Sequence, residues 1–214
     1  MTTRNNSVPA EAPANCPLCP RLVAYRQDNA SQEPAWFNGA VPSFGDPNAH
    51  LLVVGLAPGR TGANRTGRPF TGDYAGDLLY ATLLKFGLAQ GEYDRRPDDG
   101  LTLAGAMITN AVRCAPPQNK TTTPEENTCR PFLQARIQAL PQLKTIVTLG
   151  LVAHRNTVKA LGAKIKDAPF GHGHEAKIAG YRLISSYHCS RYNTNTGRLT
   201  TEMFEAVFRQ AVNS

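Results

Sequence analysis

Four short stretches of this chain are apolar with no alternation, and each is followed by a segment of helical spacing. Leu51 to Val54 (LLVV), Ala106 to Asn110 (AMITN), Lys144 to Leu149 (KTIVTL) and Leu183 to Tyr187 (LISSY) leave no polar face for solvent, the pattern of strands covered on both sides. Apolar residues recur every three or four positions over 76–86 (GDLLYATLLKF, closed by Gly87), 123–140, 151–161 behind Gly150, and 199–212, which predicts four helices. Thr123-Pro124-Glu125-Glu126 reads as a helix start, with a capping hydroxyl, proline at the first helical position and acids in the first turn. A shorter helix is expected over Arg21 to Ala30. Strand–helix alternation predicts an α/β fold, a three-layer α/β/α domain over residues 16–214 around a central four-stranded, mostly parallel sheet. Residues 1–15, polar with alanine and proline, are expected to form a disordered tail. GEYDRRPDDG at 91–100 reads as a charged surface loop, and residues 163–180 show no clear period.

Three loops leave the carboxyl ends of these strands: 55–72, 110–120 and 188–197. In a sheet of this kind they converge on one edge, where α/β proteins place ligands. The first loop holds Gly55, Gly59, Gly62, Gly67 and Gly72 with Pro58 and Pro69, so it is at once open to a ligand and stiff. Arg60, Arg65 and Arg68 add charge and Phe70 an aromatic face, which implies a pocket for something flat and anionic, or flat and joined to phosphates. A P-loop is excluded, because Arg68 and Pro69 stand where that loop needs lysine and a magnesium-binding hydroxyl. At the other two strand ends, Asn110 offers an amide able to read a base edge with both a donor and an acceptor. His188 offers a donor near neutral pH. Each residue type alone is most often structural; their joint position at successive strand ends makes the functional reading.

Composition changes this picture in two ways. A net charge of +7 and a pI near 9.3 favour a polyanionic partner. No apolar stretch has membrane-spanning length and no export pattern opens the chain, so a cytoplasmic location is expected. The chain has five cysteines, an odd number that argues against a disulfide framework. Cys16 and Cys19 form a C-x-x-C inside C-P-L-C-P, with Cys114 and Cys129 far downstream. Two such pairs can hold zinc or an iron–sulfur cluster, and the loose second pair favours the cluster. Cys189 reads as a packing residue.

Three segments, GLAPGRTGANRTGRPFTGD, ITNAVRCAPPQNKTTTPEE and YHCSRYNTNTGRLT, resemble in order the signature segments of the uracil-DNA glycosylase superfamily. The iron–sulfur branch is the similar one, and within it family 5 (type B). The resemblance runs from Cys16 to the last helix. It implies a monofunctional DNA repair enzyme that hydrolyses the N-glycosidic bond of uracil, and of other deaminated bases such as hypoxanthine, to leave an abasic site. Cys16, Cys19, Cys114 and Cys129 would then be ligands of a [4Fe–4S] cluster. Phe70 would stack on the extruded base, Asn110 would bond its Watson–Crick edge, and His188 would donate to the pyrimidine O2. The backbone of Gly55, Ala57 and Gly59 would line the pocket and place water. The chain departs from the other branches where Leu56-Ala57 stands in place of a water-activating acid or amide. Asn64 aligns with an acid of the type A enzymes and is left to orient the water.

The substrate expected on this reading is double-stranded DNA carrying a deaminated base, with single-stranded DNA open as a second substrate and the protein a nucleoid-associated monomer. Extruding the nucleotide costs roughly a few kcal/mol. Arg191, Tyr192 and Asn193 are expected to enter the groove behind it, with Arg65, Arg68 and Lys120 on phosphates. With no evident general base, stabilisation of the leaving uracil anion must carry most of the rate. The alternative is a non-catalytic iron–sulfur DNA-binding protein.

Overall fold

The computed structural model describes residues 9–213. In chain order its elements are α1 (Pro20–Gln32), β1 (Phe44–Gly45), β2 (Leu51–Gly55), α2 (Ala63–Thr66), α3 (Tyr74–Lys85), β3 (Ala89–Gln90), β4 (Thr102–Leu103) and β5 (Ala106–Asn110). They continue with α4 (Thr123–Gln138), β6 (Thr145–Leu149), α5 (Leu151–Ala160), β7 (Glu175–Ile178), β8 (Tyr181–Ser186), α6 (Arg191–Asn195) and α7 (Thr201–Val212).

The four apolar runs become β2, β5, β6 and β8, mutually parallel and central, in a sheet of order β1-β5-β2-β6-β8-β7. The sheet therefore has six strands rather than the four expected, because an antiparallel strand closes each edge. Both were silent in the sequence for physical reasons. β1 is only two residues long, and β7 (EAKI) is a half-exposed edge strand with a single buried residue.

Successive residues of the central strands point to opposite layers, as strand geometry requires. Leu51, Val53, Ile108 and Val147 pack under α3 and α7, against Leu79, Leu83, Phe204 and Phe208. Leu52, Val54, Met107 and Ile146 pack under α4 and α5, against Leu133, Ile137 and Val158. This is why those runs have no polar alternation. A third apolar cluster joins Leu22 of α1 to Cys16, Val112, Cys114, Cys129 and Phe132. The start of α4 is closed by a reciprocal capping box between Thr122 and Glu125, one residue earlier than the Thr123 cap expected from sequence.

Two expectations about surface segments are corrected. Residues 1–8 of the expected tail lie outside the described residues, but 9–15, though largely exposed, are tied to the domain at Glu11, Ala12 and Ala14. The Glu11 carboxylate binds Arg113 at 2.9 Å and Arg136 at 2.6 Å, and the Ala40 amide donates to the Ala14 carbonyl at 2.8 Å. The loop 91–100 is likewise more than a charged surface. The Asp99 side chain is 1% exposed and forms a two-pronged ion pair with Arg68 at 2.7 and 2.8 Å, while Tyr93 stacks on Tyr80 with ring centroids 4.4 Å apart.

Candidate active site

β2 and β5 end side by side, with Gly55 in register beside Asn110. A side chain at Gly55 has no space: its Cβ would overlap the Asn110 Oδ1 and come 2.6 Å from Phe70 Cζ. Glycine is what lets the phenyl ring lie across the strand end next to the carboxamide. Above them opens a cavity of about 340 Å³. Its walls are residues 56–59 behind β2, Phe70 with residues 73–75, Asn110 with Pro116 and Asn119, and His188 with Ser190 and Arg191. The three loops do converge, and Phe70, Asn110 and His188 bound a single space.

The Phe70 ring faces the His188 ring with centroids 6.1 Å apart and planes inclined by 27°. Asn110 is buried, and its Oδ1 finds no hydrogen-bond partner among the described residues. Leaving a buried acceptor unsatisfied costs about 1–3 kcal/mol, so this oxygen is set up to receive an N–H from a ligand. Burial pulls the His188 imidazole down to about 4, which leaves it neutral at pH 7 with one ring nitrogen free to donate. Its loop is braced by the Asn193 side-chain amide, which donates to the His188 carbonyl at 2.8 Å.

Asp73 is the cavity residue whose role the sequence did not reveal. It caps α3, its Oδ1 accepting from the Gly76 amide at 3.2 Å. Its Oδ2 faces the backbones of Gly59 and Gly62, where a Cβ would come within 3.3 and 2.5 Å. Burial raises its carboxyl above the ordinary range, the Gly76 and Ala75 backbone amides oppose the rise, and Asp77 adds to it. The signal available beforehand was an aspartate directly before a helix, and that pattern is accounted for by capping alone. Asn119, also in the wall, follows Gln118, and both adopt positive φ (57° and 56°), a conformation uncommon outside glycine.

Several expected site residues lie elsewhere. Asn64 is buried and turned from the cavity; its Nδ2 donates to Asn38 Oδ1 at 3.0 Å, because the short α2 directs it back onto the 33–38 loop. Arg68 is not a phosphate contact. It is 4% exposed, paired with Asp99 and surrounded by Phe44, Tyr80 and Tyr93, whose ring centroids lie 5.1, 5.4 and 5.8 Å from its Cζ. Asn193 is half-buried, with its side-chain amide on the His188 carbonyl. Arg65, Lys120, Arg191 and Tyr192 are exposed. Arg191 lies over the Tyr74 ring at 5.1 Å, and Tyr192, the next residue along the chain, is 72% exposed.

Cys16, Cys19, Cys114 and Cys129 are free thiols that line one small apolar cavity with Leu22, Val112 and Phe132. Two N–H groups aim at their sulfurs, the Arg113 amide at Cys129 Sγ (3.3 Å) and Arg26 Nη1 at Cys114 Sγ (3.7 Å). Among the described residues no group of three or more histidine, cysteine or acidic side chains is placed to hold a single metal ion. Ala57, in the wall of the large cavity, packs against this cysteine cluster. Cys189 is fully buried and its thiol donates to the Ala75 carbonyl at 3.4 Å, so it is a packing residue. No helix among the described residues is long and apolar enough to cross a membrane.

A family model, the uracil DNA glycosylase superfamily, matches residues 42–212, a span that contains every wall of the large cavity. The chain belongs to the uracil DNA glycosylase superfamily. Among curated relatives, the type-5 uracil-DNA glycosylase of Thermus thermophilus is 45% identical over 203 residues, covering 92% of each chain. The type-5 enzyme of Pyrobaculum aerophilum is 42% identical, covering 92% of this chain and 88% of its own. A type-4 uracil-DNA glycosylase of the same organism is 32% identical over 81% of this chain and 77% of its own.

Proposed function

We propose that this chain removes uracil from DNA by hydrolysing its N-glycosidic bond, with the extruded base held between Phe70, Asn110 and His188. The observation that carries the reading is the buried Oδ1 of Asn110 on the wall of the cavity, without a partner among the described residues, a waiting acceptor for the N3–H of uracil. The carboxamide nitrogen of the same side chain can donate to O4, and the phenyl face of Phe70 stacks on the ring. Neutral His188 donates to O2 as negative charge develops there, and a prearranged donor of this kind is worth about 3–4 kcal/mol. Asp73, on the same wall, orients the attacking water and takes its proton, a role that Asn64 has no position to fill.

The substrate is double-stranded DNA, whose deaminated base leaves the stack most cheaply when mispaired; a single strand offers the same base without that cost. A cavity of about 340 Å³ also accommodates a two-ring base, which supports hypoxanthine as a further substrate. Arg191 and Tyr192 enter the groove behind the extruded nucleotide, and Arg65 and Lys120 hold phosphates. The protein works as a monomer in the compartment that holds the DNA.

Cys16, Cys19, Cys114 and Cys129 fit a [4Fe–4S] cluster. The support is four thiols around one apolar cavity and N–H donors aimed at two of the sulfurs. When bound, the cluster supplies a rigid tie between the amino-terminal turn, the loop after β5 and α4.

The test is base release under single-turnover conditions from a duplex carrying one uracil. Asn110→Asp, which removes the donor to O4 and sets a second acceptor against it, is expected to lose about 100-fold or more. Unchanged release by this variant, or no release by the wild type, contradicts the reading.

A further inference from the structure

Phe70 occupies a backbone position that a phenylalanine does not choose. Its φ is +55°, in the left-handed region where a bulky residue is an outlier. It is the third residue of the turn Arg68-Pro69-Phe70-Thr71, closed by the Thr71 amide on the Arg68 carbonyl at 3.2 Å. Proline second and positive φ third is the type II pattern, which normally puts glycine where Phe70 stands. Strain of this kind persists only where the surroundings over-determine it.

The surroundings here are identifiable. The carbonyls of three consecutive residues are each held by a hydroxyl: Tyr80 on Pro69 at 2.6 Å, Tyr93 on Phe70 at 3.1 Å and Thr66 on Thr71 at 3.1 Å. Gly76, in the first turn of α3, leaves the space that the Phe70 carbonyl and the Tyr93 hydroxyl occupy. A Cβ there would overlap that carbonyl and come 2.5 Å from the hydroxyl. Tyr93 is fixed in turn by its stack on Tyr80 and by Arg68, which Asp99 anchors. Burial pushes the Tyr93 phenol up to about 12, with the Gly72 backbone opposing the shift, so the hydroxyl remains a donor throughout the working pH range.

We infer that Tyr93 is a positioning residue for base recognition: its hydroxyl holds Phe70 in the strained turn that presents the ring to the cavity, and it never touches the substrate. Tyr93 is absent from the cavity wall and sits in a loop whose sequence signals only charge. The assignment rests on Phe70 being the stacking surface proposed above.

The experiment is a double-mutant cycle on the full chain with uracil-containing duplex, measuring KM and kcat separately. Tyr93→Phe removes one hydroxyl and keeps the ring on Tyr80. It is expected to raise KM about tenfold, the weight of one hydrogen bond, with kcat within about twofold, because stacking binds ground and transition states alike. Phe70→Leu alone raises KM, and adding Tyr93→Phe to it produces no further loss. Gly76→Ala, which presses a methyl onto the same carbonyl with Tyr93 intact, reproduces the KM defect. If Phe70→Leu is itself silent, the pocket reading fails, and this inference with it. If Phe70→Leu is damaging but Tyr93→Phe is silent, multiplies the loss, or lowers kcat with KM unchanged, the inference alone is overturned, as it is by a wild-type KM in Gly76→Ala.

Discussion

Burial moves two titratable side chains of the cavity wall toward the same state by opposite shifts: the His188 imidazole falls and the Asp73 carboxyl rises. Both shifts disfavour the charged form in a poorly hydrated site. His188 lines the cavity and is half-buried as a residue, and a base that fills the cavity deepens its neutrality. A neutral donor can strengthen its hydrogen bond as the leaving uracil gains charge, with no proton taken from solution. Two consequences follow for turnover. His188→Ala should lower kcat by about 100-fold or more, whereas Asn64→Ala, whose side chain is spent on Asn38, should stay within a few-fold; the reverse ranking in single-turnover base release opposes this account. The pH profile of kcat should show no break near 6.5, the ordinary histidine value. It should fall on the acid side as Asp73 protonates above the ordinary carboxylate value, and Asp73→Asn should abolish that limb. The folded state resists protonating His188 more than the unfolded chain does. The His188 contribution to stability is therefore fully present above about pH 6.5 and is lost as pH falls through about 4.

The elements that carry the cavity are held from outside it. Arg68 links the turn before Phe70 to the loop 91–100 through Asp99, whose carboxylate also accepts the Asp94 and Leu101 amides at 3.0 and 3.1 Å. The paired guanidinium depresses this carboxyl first of all, burial opposes the shift, and the two amides add to the depression. The sign is that of a lowered acid: its contribution is present above the unfolded value near 3.9 and is lost as pH falls through the folded one. Asp99→Asn leaves the buried cation without its partner and should cost about 3–5 kcal/mol, read as a drop of about 6–20 °C in Tm. A Tm within two degrees of wild type would falsify the anchoring role. What the sequence made legible follows the same division. The central strands were visible because burial on both faces erases alternation, and the helices because their spacing and caps are local. That Asn110 and His188 would reach one cavity was legible because strand ends fix where a side chain emerges. Asn64 and Arg68 were misplaced because an amide or a cation in a glycine-rich loop has the same local pattern whether it faces a cavity or folds back. What decides Arg68 is Asp99, far along the chain, and what decides Asn64 is Asn38. Asp73 was hidden because a helix cap already accounts for it.

Across the whole molecule, chemistry is concentrated at one end of the sheet, and the cysteine cluster adjoins it through Ala57. The amino-terminal turn, the loop after β5 and α4 come together at those four thiols and their apolar neighbours, and again at Glu11, which binds Arg113 and Arg136. A cluster there is expected to give a brown protein with about four irons per chain. Cys129→Ser should lose the iron together with several degrees of Tm. Stoichiometric zinc in a colourless protein opposes the assignment. The central claim, that Phe70, Asn110 and His188 close on one extruded base, is tested most directly by a crystal structure of the chain bound to a duplex whose single deoxyuridine carries a 2′-fluoro group to block hydrolysis. The account predicts uracil stacked on Phe70, its N3–H on Asn110 Oδ1 and its O2 facing His188. A uracil left in the helix, or seated against other residues, would contradict it.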